Sequence, residues 1–148
     1  MERKEIEINK HKVVIMEQPA SFVISLDKKY GTLDLIGYVK EVLKYPSGVN
    51  KDITELFDIP SEIKYKELSF KLSENKENAL YEMLGIFNSI NHNGELNGVL
   101  VAETFLNKIN KNIDEFKYKE LEEIGFEVFN QVKEMAYLRI IVNTFRSF

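Results

Sequence analysis

KYKELEEIGFEVFNQVKEMAYLRIIVNTFRSF, residues 117–148, is the stretch whose reading decides the fold. It predicts a long final helix that begins near Asp114 or Lys117 and runs close to Phe148. Its apolar residues, Leu121, Ile124, Phe126, Val128, Phe129, Ile140 and Phe148 among them, cover more of the circumference than one core-facing stripe needs. Something must cover the excess. Either this is the central helix of the domain, buried on several sides, or its C-terminal part docks on a partner or on a second copy of the chain. In the second case Val132, Met135, Leu138, Ile141, Val142 and Phe145 form the partner-binding face. Met135 and Phe145 suit adaptable packing there.

Two more amphipathic helices precede it. From Asn75, residues Leu80, Met83, Leu84, Phe87 and Ile90 keep one stripe until Asn91-His92-Asn93-Gly94 breaks it. Leu96, Val99, Leu100, Ala102, Phe105, Leu106 and Ile109 make the next helix, which Asn110-Lys111-Asn112 ends. The other end of the chain reads differently. Glu5-Ile6-Glu7-Ile8 alternates at period two, and Val13-Val14-Ile15-Met16 is also β-prone, so the two predict a hairpin turning at Asn9 to Lys12. Pro19 stops the second strand and opens a short helix carrying Phe22, Val23, Leu26 and Tyr30, with Gly31 as its C-cap. Thr32 is placed to cap a second helix with an apolar face of Leu35, Ile36, Val39, Val42 and Leu43, ending at Tyr45-Pro46-Ser47-Gly48. Asp52 to Phe57 forms one helical turn before Pro60. The expected fold is mainly α (α+β): an N-terminal β-hairpin followed by a helical bundle with a long C-terminal helix. Residues 1–60 hold the hairpin and short helices and 61–148 the helical module, packed as one domain.

Composition narrows the function. A chain of 148 residues with 44% hydrophobic and 30% charged residues can build a core and a polar surface, so it is expected to fold. The absence of cysteine removes disulfides, thiolate metal sites and thiol nucleophiles, which fits an intracellular site of action. The N-terminus does not read as a secretory signal, and Arg139, Asn143 and Arg146 interrupt the longest apolar stretch well short of the roughly 20 residues a membrane span needs. Net charge is -4 with Lys and Glu interspersed, so no basic stripe exists to capture phosphates, and nucleic acid and membrane are both excluded as expected partners. Heavy use of Lys, Asn, Ile and Glu suggests an A/T-rich genome, that of a low-GC bacterium or its virus.

The sequence offers no catalytic constellation. Of two histidines, His11 falls in the expected hairpin turn and His92 in an interhelical turn, neither at metal-ligand spacing from a second donor. Gly94-Glu95-Leu96-Asn97-Gly98 lacks the lysine and preceding strand of a phosphate loop and reads as a helix-start turn. Asp114-Glu115 and Glu122-Glu123 are adjacent carboxylates that point in different directions on a helix, as an exposed face requires. The expectation is no enzyme, no cofactor and no metal. A short repeat, Lys64-Tyr65-Lys66-Glu67-Leu68 echoed at Lys117-Tyr118-Lys119-Glu120-Leu121, reads as two similar helix starts and not as a duplication.

The order of elements over about residues 5 to 70 resembles the tail assembly chaperones of tailed phages and phage-tail-like particles. It rests on the hairpin Ile6 to Ile15, then Glu17-Gln18-Pro19-Ala20 opening a helix, then the second helix, its Pro/Gly turn and Ile53-Thr54-Glu55-Leu56. The resemblance implies a non-enzymatic protein, often oligomeric, that binds the tape measure protein and helps tail tube subunits assemble around it, from a gene that is often frameshifted. It further implies the cytoplasm of a bacterial host, with or without association to the virion. A structural component of a tail or baseplate is the nearest alternative, and a small regulatory protein binding a host target is a second.

Overall fold

Why the chain turns back at Asn9-Lys10 explains the first element. Both residues adopt positive φ, 47° and 68°, which a two-residue hairpin loop needs to match the twist of its strands. Strand β1 (Arg3–Ile8) thereby pairs antiparallel with β2 (His11–Met16) in a register that sets Ile6 opposite Val13. The turn is tighter than expected, and His11 is the first residue of β2. The structure, a computed structural model, describes residues 2–31, 34–44, 52–89 and 97–148. Thr32, Tyr45-Pro46-Ser47-Gly48, Ile90, Asn91 to Gly94 and Leu96 lie outside the described residues.

The chain divides into two compact units, one made of residues 1–58 with 136–148 and the other of 59–135. In the first, α1 (Ala20–Tyr30) follows Pro19 and stops at Gly31, whose φ of 58° combined with a ψ of -150° is open essentially to glycine alone and whose N–H donates to the Asp27 carbonyl. Helix α2 (Leu35–Leu43) is capped by Asp34, whose side chain accepts from the Gly37 N–H. The five apolar positions expected on α2 are all buried, and Tyr38 joins them. A 3-10 turn at Ile53–Leu56, capped by Asp52, packs on α2. Helix α6 (Ala136–Arg146) lies against α2 and β2. It buries Leu138, Ile141, Val142 and Phe145, each contributing about 1.5–3 kcal/mol of hydrophobic stabilisation.

In the second unit, β3 (Glu62–Tyr65) and β4 (Leu68–Lys71) form another two-stranded hairpin. This corrects the reading of Lys64 to Leu68 as a helix start. Ile63 opposite Phe70 and Tyr65 opposite Leu68 follow strand period two, and Lys66 takes a φ of 52° in the turn. Helix α3 (Lys76–Phe87) begins where expected, with the Asn75 side chain accepting from the Asn78 N–H. Helix α4 (Gly98–Lys108) is capped by Asn97 and packs along α5 (Tyr118–Val132). Glycine permits that approach: a Cβ on Gly125 of α5 would run into the Gly98 carbonyl. The Gln131 side chain ties α5 to β3 by accepting from the Lys64 N–H at 3.0 Å and donating to its carbonyl at 2.8 Å, so an edge-strand residue is paired on both backbone groups. Phe87 and Phe129 stack at 6.0 Å.

The fold is α+β, mostly helical, with the expected N-terminal hairpin. The long C-terminal helix is formed from Tyr118 to Arg146, and a 3-10 turn at Lys133–Met135 divides it into α5 and α6.

Candidate functional site

Helical spacing builds a cleft in the first unit. Arg139, Val142, Asn143 and Arg146 recur on α6 at i, i+3, i+4 and i+7, and so share one face; Leu35 and Tyr38 do the same on α2. Together with Gly31 they line a cavity of about 210 Å³. Leu35, Val142 and the Tyr38 ring give it apolar walls, while two guanidinium groups and a carboxamide stand at its polar side.

One end of the cleft is locked by three side chains. The Arg146 Nη2 donates to the Asp27 carboxylate, its Nε donates to the Tyr38 hydroxyl at 3.3 Å, and the Tyr38 hydroxyl donates to Asp27 at 2.8 Å. The guanidinium also lies 5.3 Å from the centre of the Tyr38 ring, a cation–π geometry. Hydrogen bonds from Arg146 and then Tyr38 hold the Asp27 carboxyl below its ordinary value. Burial is the main cause that pushes the Tyr38 hydroxyl above its own. The side chains of Arg139 and Asn143, both exposed, make no hydrogen bond or ion pair among the described residues.

The six residues expected to form a partner-binding face are all buried. Val132 and Met135 belong to the second unit, and Leu138, Ile141, Val142 and Phe145 to the first. They do not form one exposed patch; a partner reaches them only if a unit opens. Among the described residues the large apolar side chains left exposed are others: Tyr118 at 68% and Phe126 at 56% on α5, Ile24 at 52% on α1, Ile140 at 45% on α6, and Leu100 on α4 and Tyr81 on α3 at 40% each. Phe126 stands among the exposed carboxylates Glu122, Glu123 and Glu127. The signal for it was in the sequence: a helical stripe through Leu121, Ile124, Val128 and Val132 leaves Phe126 on the opposite, acidic side.

The residues with candidate chemistry are dispersed. Asp114 and Glu115 sit in a 3-10 turn, and Gly98 is the first residue of α4 against Glu122 of α5. Among the described residues no group of three or more His, Asp or Glu side chains is placed to hold a metal ion, and no helix is long and apolar enough to cross a membrane. No family model, no curated protein and no solved structure matches the chain.

Proposed function

We propose that this protein is a non-enzymatic tail assembly chaperone that binds the tape measure protein and promotes tail tube assembly in the cytoplasm of a bacterial host. The observation that carries the reading is the outer surface of α5, where Tyr118 and Phe126 expose two large aromatic rings about 12 Å apart along the helix axis. Exposed aromatics are the side chains that most often anchor a protein interface, because they bury much area at a small cost in conformational freedom. The carboxylates of Glu122, Glu123 and Glu127 beside Phe126 favour a client helix that carries basic residues next to its apolar seam. The order of β1, β2, α1, α2 and the Ile53–Leu56 turn supports the same reading, being the order on which the resemblance to this class of chaperone rests.

The test is co-expression with the product of the next long gene downstream, read by mass photometry. A complex containing several copies of this chain, absent from finished particles, is expected. Tyr118→Asp combined with Phe126→Asp should abolish it without lowering the thermal midpoint, since both side chains are exposed. A complex that survives the double change removes the α5 surface from the reading; one retained in finished particles makes the protein a structural tail component.

A further inference from the structure

We propose that the cleft between α2 and α6 is a binding site for the carboxylate of a glutamate side chain presented by a partner polypeptide. The proposal stands independently of the chaperone reading, which rests on a surface of the second unit. Charge comes first. The two guanidinium groups of Arg139 and Arg146, less the one carboxylate of Asp27, leave a single net positive charge, which suits a monoanion and not a phosphate dianion. Geometry assigns the roles. Arg146 is already committed through Nε to Tyr38 and through Nη2 to Asp27, so it forms a fixed wall, and Arg139 presents a free planar fork of the kind that pairs both oxygens of a carboxylate. Asn143, one helical turn from Arg139 on the same face, adds a neutral N–H donor.

Size and polarity define the rest of the ligand. A volume of about 210 Å³ falls below the roughly 300–1,000 Å³ of sites that enclose whole small molecules, so the cleft holds one side chain and not a cofactor. Leu35 and Val142 supply apolar contact for the methylene groups that precede the carboxylate. Asp27 would repel a second negative charge, which again excludes the dianion.

The probe is Nα-acetyl-glutamate N-methylamide, titrated into the isotope-labelled protein and followed by NMR at the Gly31 amide, the Arg139 Nε–H and the Asn143 side-chain amide, with the glutamine analogue as its uncharged counterpart. Saturable shifts at these three positions with the glutamate probe, and none with the glutamine probe, are expected. Arg139→Gln should weaken binding at least about tenfold. Asn143→Asp, which sets a carboxylate on the same rim, should abolish it, while Lys119→Gln on α5 should leave it unchanged. Equal shifts with both probes, shifts spread over surface lysines, no saturation, or an unaltered affinity in Arg139→Gln would each overturn the proposal. Free glutarate binding more tightly than the capped probe would reassign the site to a small carboxylate and overturn the polypeptide source.

Discussion

Asp27, Tyr38 and Arg146 show what a single residue owes to its neighbours. Arg146 lies 119 positions from Asp27 and 108 from Tyr38, so no local pattern in the sequence marks them as a group. Glu41 and Lys44 differ, since their pairing at 3.0 Å is an i, i+3 contact on one helix end and was readable from spacing alone. The Asp27–Arg146 pair is 42% and 39% exposed, so solvent screening limits its worth to less than about 1 kcal/mol. Its pH dependence has a definite sign. Because the folded carboxyl titrates below its ordinary 3.8, the pair's contribution is complete above that value and is lost as pH falls through the lowered folded pKa. Wild type and Asp27→Asn should therefore differ slightly in urea midpoint at neutral pH and converge as the solution is acidified below 3.8. A gap that persists unchanged to about pH 2 would mean that the ion pair is not its source.

At the scale of elements, one pentapeptide takes two structures. Lys64-Tyr65-Lys66-Glu67-Leu68 ends a strand, turns and begins another, whereas Lys117-Tyr118-Lys119-Glu120-Leu121 starts a helix, with the Glu120 side chain accepting from the Lys117 N–H. The flanks decide: Ile63 is buried on β3, and Leu68 and Phe70, two apart on β4, are half-buried, while Leu121, Ile124 and Val128 are buried at helical period. Five residues hold too little local preference to resist either. Gly125 carries the same lesson as a prediction. By helix propensity alone alanine should improve α5, yet a Cβ there meets the Gly98 carbonyl of α4, so Gly125→Ala should lower stability by about 1–3 kcal/mol. A Cβ added at Gly85 on α3 would meet nothing within 4 Å, and Gly85→Ala should raise stability by about 0.5–1 kcal/mol. Urea denaturation of the two variants checks the pair, and a stabilised Gly125→Ala would refute the close approach of α4 and α5.

For the whole molecule, the division into units is the organising fact. Residues 1–58 are completed by 136–148, which follow in the chain only after 59–135. Leu138 is fully buried, so Leu138→Ala should cost about 2–5 kcal/mol. If the first unit is cooperative, native-state hydrogen exchange in this variant should accelerate in α2 and β2 together with α6. Acceleration confined to α6 would show that the helix frays alone. The sequence by itself determined the local architecture: the β1–β2 hairpin from period-two alternation, the buried face of α2, the start of α3, the helical character of α4, and that of the stretch from Tyr118 to Arg146. These are legible because each rests on spacing within a few residues. Only the tertiary structure decided that the face from Val132 to Phe145 is buried, why Gly125 must be glycine, and which residues line the cleft between α2 and α6. Each depends on side chains brought together from distant parts of the chain, where hydrophobic burial and close packing, not local preference, select the partner.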